Sequence, residues 1–151
     1  MISCQVETWA DIWRDGQEIF KIHYDELALH KEAMPLGLDN DAYADLERKG
    51  YLLVVAARRD GALIGYYMAI VVAHHPHNKD AGKVSTTDFF YILPSERRGG
   101  AGVKLLLAAM RELKRIGVKK ASVSTKLKFS NRELFEKLGW EATDLVFQVI
   151  L

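Results

Sequence analysis

Six consecutive residues, Arg97-Arg98-Gly99-Gly100-Ala101-Gly102, hold two arginines and three glycines between an apolar strand-like run and an apolar helix-like run. Glycine costs about 1 kcal/mol relative to Ala inside a helix. A helix preceded and opened by glycines therefore gives up stability for bare backbone. The first N–H groups of a helix have no internal partner, and the helix dipole adds partial positive charge there. Glycine lets the backbone close around an oxyanion as a nest of donors, and the two arginines add charge. A phosphate or pyrophosphate suits such a joint. A second chemical group is Asp88, the one carboxylate among Thr86, Asp88, Phe90 and Ile92, which share one face of a strand by period-two alternation. Such a carboxylate can take a proton from an attacking group. It can equally accept structural hydrogen bonds, and in so apolar a run it needs partners either way.

Two common phosphate-binding patterns do not fit. No Lys-Ser or Lys-Thr pair follows these glycines as a Walker loop requires, and Gly100-x-Gly102 continues into Leu105, where a dinucleotide fingerprint needs a third glycine. The histidines form two groups: His74, His75 and His77 beside Asp80 in a polar loop, and His23 and His30 with Glu26 on the first helical stretch. A metal centre needs imidazoles converging from fixed backbone. A loop cluster is read as solvated, and no metal is expected.

The elements that must position these groups follow from pattern and punctuation. Ile2 to Val6 is an apolar strand; Thr8 with Asp11 starts a helical stretch that runs towards His30. Pro35 and Gly37 break it, and a short helix follows to about Arg48, closed by Gly50. Two β-rich runs flank Asp60-Gly61, a hairpin signal. Val84 to Leu93 reads as the central strand. Val103, Leu106, Met110 and Leu113 give the helical period up to Gly117. "VKKASVST" is a strand, Ser130 and Glu133 form a capping box for a short helix, and "LVFQVIL" (Leu145 to Leu151) is a last strand. The order β-α-α-β-β-β-α-β-α-β predicts one α/β domain over residues 1–151.

Composition excludes several classes. Lys and Arg number 21 against 20 Asp and Glu, a net charge of +1, so nothing marks a nucleic-acid or membrane-surface binder. Cys4 is the one cysteine, which excludes an internal disulfide or a cysteine-based metal cluster. No basic and apolar leader and no apolar run of about 20 residues is present, so a cytoplasmic location is expected.

Arg97 to Gly102 matches [QR]-x-x-G-x-[GA], and in this the chain resembles the GNAT acetyltransferases. Pro94 after an apolar strand and "NRELFEKLGWEA" (Asn131 to Ala142) are similar to further signatures of that family. "HYDELALHKEAMPL", "HHPHNKD" and "TTDFFYILPSERRGG" resemble a subgroup found in phages and prophages. The resemblance implies a single-domain α/β fold with a mixed, mostly antiparallel splayed sheet flanked by helices. It implies acetyl-CoA as co-substrate in a V-shaped cleft, its pyrophosphate on Arg98, Gly99, Gly100, Ala101, Gly102 and Val103, with Arg97 also in the cofactor-binding set. The pantetheine arm would pair with backbone near Ile92 and Leu93, and Asn131 and Phe135 complete the cofactor set. His23, Glu26, His75 and His77 would flank the acceptor, with Asp88 as the base.

The activity so implied is N-acetyltransfer to a primary amine by direct attack in a ternary complex. The acceptor is a small molecule or a protein lysine or N-terminus, and a homodimer is among the assemblies expected. Phe135 stands where many family members carry a tyrosine, so the proton donor to the leaving thiolate is left to Tyr91, to water or to no group at all. A non-catalytic acyl-CoA-binding or interaction module on the same fold is the alternative. Lys119, Lys120, Lys126 and Lys128 are either a solvated helix end or an attraction for the cofactor's outer phosphate.

Overall fold

The computed structural model describes residues 1–151. Five strands form one sheet in chain order: β1 (Ile2–Val6), β2 (Leu52–Arg59), β3 (Ala62–Val72), β4 (Lys83–Ile92) and β5 (Val118–Ser122). The first four pair antiparallel, and β4 and β5 pair parallel. The β2–β3 turn falls on Asp60-Gly61, with φ of 50° and 89°, the two positive angles that a two-residue hairpin of this type requires. Residues 53–57 of β2 are buried on both faces, which is why this run reads as continuously apolar.

Helices cover both faces. On one lies α4 (Ala101–Arg115), which carries Leu105, Leu106, Ala109 and Leu113 onto Val55, Ala57, Tyr67 and Ala69. On the other lie α1 (Trp9–Asp15), α2 (Gln17–Leu27) and α3 (Asn40–Arg48), with Trp9, Ile12 and Phe20 against Val54, Ala56, Tyr66 and Met68. The first helical stretch is thus two helices: Thr8 caps α1 as its spacing predicts, its Oγ1 accepting from the Asp11 N–H at 3.2 Å, and the chain breaks at Gly16. A Cβ there would meet the Ile12 carbonyl at 2.5 Å. Helix α2 ends at Leu27, so His30 lies beyond it in a left-handed turn, φ 56°, rather than on the helix.

Two further departures occur near the chain's end. The short helix α5 (Arg132–Lys137) forms, but without the expected capping box: Asn131 is its N-cap, and the Ser130 hydroxyl instead accepts from the Arg132 N–H at 3.1 Å. Leu145 to Leu151 form no strand. Their apolar pattern suits one, but a strand needs a paired neighbour, and these residues make no backbone hydrogen bond to the outer edge of β5 or to any other segment.

The sheet parts between β4 and β5. β5 pairs with β4 over Lys83 to Thr86 and stops, while β4 runs on to Ile92 with an open side. Gly65 on β3 sets how closely β4 approaches on its other side; a Cβ there would lie 2.4 Å from both Ile92 Cδ1 and the Tyr91 carbonyl.

Candidate active site

The loop between β4 and α4 is built by alternation and glycine conformation. The Leu93 N–H donates to the Ile64 carbonyl of β3 at 2.9 Å. Ile92, one residue earlier, therefore turns its own peptide groups to the open side. Its carbonyl there accepts from Arg97 Nε at 3.0 Å. Of the two residues expected to offer backbone to a ligand, Ile92 faces the parted sheet and Leu93 is tied to β3. Gly99 and Gly100, φ 114° and 81°, make the turn into α4 through backbone angles that other residues resist. No side chain caps α4, and its first backbone bond is Lys104 N–H to Gly100 carbonyl at 3.0 Å, so the N–H groups of its first turn are left unpaired.

Gly102 is different. It lies inside the helix, and a Cβ there would make ordinary contacts with Phe90 Cζ at 3.8 Å and Ile92 Cγ1 at 3.9 Å. No steric demand of the protein explains a glycine that weakens the helix. What Gly102 does face is a cavity of ≈ 410 Å³ in the parted sheet, walled also by Glu26, Tyr91, Ile92, Arg97, Gly100, Val103 and Asn131. Leu27, Phe90, Phe129 and Leu134 form its apolar side, and Ser130 completes the lining. Sequence reasoning missed these five, although the three-residue step from Asn131 to Leu134 along a helix was a usable signal.

Arg97 and Arg98 have separate tasks. Arg97 forks onto Glu26 of α2, with both N···O distances 2.7 Å, and its guanidinium lies 5.3 Å from the centre of the Tyr91 ring. Arg98 is exposed and makes no ion pair, which leaves it as the loop's uncommitted cation. Tyr91 is held from three sides: its hydroxyl donates to Glu26 Oε2 at 2.6 Å, Arg97 covers one side, and His23 stacks at 4.3 Å with planes 13° apart. The Arg97 guanidinium holds the Glu26 carboxyl below the usual carboxylate range. Burial, and then the Glu26 charge, pushes the Tyr91 hydroxyl up, so it keeps its proton at neutral pH. Burial pulls His23 down to about 4, leaving a neutral ring whose Nδ1 lies 2.8 Å from the Tyr66 hydroxyl.

The faces of β4 differ from the expected alternation. Phe89 pairs with Met68 and Thr87 with Ala69, so Asp88 is an extra residue, a β-bulge. After it the alternation reverses. Phe90 and Ile92 pack on the α4 side, whereas Tyr91 lies on the opposite face with Trp9, Phe20 and Tyr66. That opposite face is also the one Asp88 shares, because its Oδ2 accepts from the Tyr43 hydroxyl of α3 at 2.6 Å. Thr86, Asp88, Phe90 and Ile92 therefore do not share one face, and Tyr91, which that alternation would set opposite Asp88, lies on the same face as it. Asp88 is exposed and is not part of the cavity's wall.

Other expected residues fall elsewhere. Phe135 is buried, 6 % exposed, between the rings of Phe90 and Trp140 at 5.8 and 5.6 Å; it is core and does not touch the cavity. Ala101 is fully buried beneath the helix start, and Gly99 shapes the turn without lining the cavity. His75 and His77 lie with ring centres 4.0 Å apart, tilted by 41°, in an exposed turn and do not line the cavity. A larger groove of ≈ 820 Å³ lies between the start of α1 and β2. Its charges are already matched, since Arg58 pairs with Glu7 and Asp15 at 2.7 Å and Glu47 accepts from the Trp9 N–H at 2.6 Å, so it offers less chemistry than its size suggests.

The family model described as Acetyltransferase (GNAT) family matches residues 8–140. The chain belongs to this family. No curated protein sequence matches it significantly. Among solved structures, a ribosomal-protein-alanine N-acetyltransferase from Brucella melitensis biovar Abortus 2308 superposes with a TM-score of 0.74 at 14% identity, covering 99% of both chains. The aminoglycoside N-acetyltransferase AAC(6')-Iy in complex with CoA gives 0.69 at 20% identity, over 100% of this chain and 95% of that one. A predicted acetyltransferase from Clostridium acetobutylicum, solved with acetyl-CoA, gives 0.70 at 16% identity, over 99% and 96%. These likenesses establish the fold. The phage and prophage subgroup finds no support among them. No helix of this GNAT protein is long and apolar enough to cross a membrane.

Proposed function

We propose that this protein is an acetyl-CoA-dependent N-acetyltransferase acting on a primary amine. The observation that carries the reading is Gly102: a glycine with room for a side chain, inside a helix it weakens, at the wall of a cavity beside unpaired N–H groups. Residues 98–103 would hold the pyrophosphate with backbone donors and the Arg98 charge, as a helix start suits an anion. The open side of β4 at Ile92 would take the pantetheine arm as an added strand, and Asn131 borders the same cavity. When bound, acetyl-CoA supplies an activated acyl group and a thiol leaving group.

The chain's own residues would manage the protons. An ammonium acceptor, with a pKa of about 10, must lose one before it can attack. Asp88, exposed at the bulge and steadied by Tyr43, is the carboxylate placed to receive it, directly or through water. Tyr91, protonated and on the cavity wall, would give a proton to the thiolate by turning its hydroxyl away from Glu26 Oε2, to which it otherwise donates. The acceptor is a small amine or an amino group of a protein. The aromatic face of α1 to α3 would border it, with His23 and Glu26 nearest; His75 and His77, which do not line the cavity, keep only a peripheral part.

The test is Gly102→Asp. The position tolerates a Cβ, and an acid in a helix's first turn favours the helix. The variant should fold at least as well as the parent and yet lose acetyl-CoA binding by about 100-fold or more, because a carboxylate would occupy the anion's place. Calorimetry that finds the affinity unchanged removes the reading.

A further inference from the structure

Lys126 is the only lysine of this chain that is not exposed. Lys49 and Lys137 pair with acids, and Lys31 and Lys83 donate to backbone carbonyls. Lys126 does neither. Its side chain is half-buried with no carboxylate or carbonyl beside its ammonium, and withdrawing an unpaired ammonium from water costs free energy. The neighbouring Lys128 shows the less costly arrangement: it is exposed, with Nζ 5.6 Å from the centre of the Phe129 ring.

The place of Lys126 is set by the loop that follows β5. The Phe129 N–H donates to the Lys126 carbonyl at 3.1 Å, and the Asn131 N–H donates to Thr125 Oγ1 at 2.9 Å. Phe129, Ser130 and Asn131 of this closed loop line the cavity in the parted sheet, together with Glu26 and Leu27 of α2. The side chain runs towards α2. His23, on the same face of that helix as Glu26, is kept uncharged chiefly by burial, and the Arg97 and Lys126 charges add to this through space. His23 in turn stacks on Tyr91 of the cavity wall at 4.3 Å. An amino group on a flexible four-carbon stem is thereby tethered at the rim of the cavity, beside the open side of β4.

We propose that Lys126 is an acceptor within the chain itself, acetylated by acetyl-CoA bound in the adjoining cavity. This rests on the reading of that cavity as an acetyl-CoA site. The ammonium first gives up one proton to water or to a base. Nζ then attacks the thioester carbonyl carbon. The C–N bond forms, the C–S bond breaks, and the electron pair leaves with sulfur. The nitrogen's second proton ends on that sulfur, so the products are CoA thiol and Nε-acetyl-lysine. The acetylated side chain is neutral, and the half-buried charge that lacked a partner is gone. Tethering replaces an encounter between two molecules by a step inside one complex, which favours Lys126 over any lysine held out in solvent.

Peptide mass spectrometry of the full chain incubated with acetyl-CoA tests this, with calorimetry on the same sample to read acetyl-CoA binding. Lys126 should be acetylated about 100-fold or more faster than Lys119, Lys120 and Lys128, whose exposed amines record ordinary chemical acetylation. The fraction modified per minute should not change with protein concentration. In Gly102→Asp the rate at Lys126 should fall to that of the exposed lysines. Binding of acetyl-CoA with Lys126 modified no faster than they are overturns the inference and leaves the cofactor reading standing. Absence of binding removes both. A rate that rises in proportion to protein concentration also overturns the inference, because the acetylated lysine then belongs to another molecule than the bound cofactor. Rapid modification that persists in Gly102→Asp without binding overturns it as well, since the acetyl group then reaches Lys126 directly from solution.

Discussion

The two faces of the sheet are built from different materials. The α4 face is largely aliphatic: Leu, Val, Ala and Ile side chains fill it, and its one ring hydroxyl, that of Tyr67, is taken up by Thr87 at 2.8 Å. The α1 to α3 face is aromatic, and most of its rings carry a polar tip with a named partner. Trp9 Nε1 donates to Asn40 at 2.9 Å, Tyr66 meets His23 at 2.8 Å, Tyr43 meets Asp88 at 2.6 Å, and Tyr91 meets Glu26 at 2.6 Å. An aliphatic face can fix a helix start rigidly and can do nothing with protons. An aromatic face packs as densely while still presenting groups that titrate or donate. Backbone binding therefore belongs at the seam beside α4, and proton handling belongs on the opposite face.

The largest effect that would break this division is at Asp88. Asp88→Asn should lower kcat by about 100-fold and leave acetyl-CoA affinity near that of the parent. A fall in affinity with kcat preserved would move Asp88 to the binding side of the comparison. Next is Tyr91→Phe, which keeps the ring between His23 and Arg97 and removes only the hydroxyl. A fall in kcat of about tenfold is expected, with the shape of the pH–rate profile unchanged up to pH of about 9, because the buried hydroxyl ionises well above that range. An unchanged kcat would show that the thiolate leaves without a side-chain acid.

The smallest effect sharpens the comparison through stability. His23 titrates near 4 in the fold because burial disfavours its charge, against 6.5 when exposed. As the pH falls below 6.5 the unfolded chain takes up a proton that the folded one refuses, so stability present above 6.5 is lost progressively towards 4. Allowing for partial solvent access, the loss is about 2 kcal/mol. Urea unfolding between these limits should show this slope in the parent and less of it in His23→Gln. No comparable slope should trace to the aliphatic α4 face, which buries no histidine.

Much of this was legible in the sequence where the cause is local. Asp60-Gly61 announced its hairpin because two positive φ angles are a property of two adjacent residues. The run from Arg97 to Gly102 announced its turn and bare helix start for the same reason. The bulge was not legible, because it exists only as two residues of β4 set against one of β3. With it went the side on which Tyr91 lies. The Tyr43–Asp88 and Glu26–Arg97 contacts join residues 45 and 71 apart, and no periodicity reports them. Phe135 could be placed on its helix but not on a face, since core and cavity both accept an aromatic ring. Leu145 to Leu151 read as a strand on pattern alone; the pattern gives the strand's character and not its neighbour.

Strand order along the sheet repeats strand order along the chain. No strand has to be threaded between two that are already paired, and the β2–β3–β4 meander joins segments adjacent in sequence. As the chain emerges during synthesis, each later strand can add to an edge already standing, from β2 outward to β5. Growth of this kind has no built-in terminus. The sheet's width is set by whatever closes its final edge.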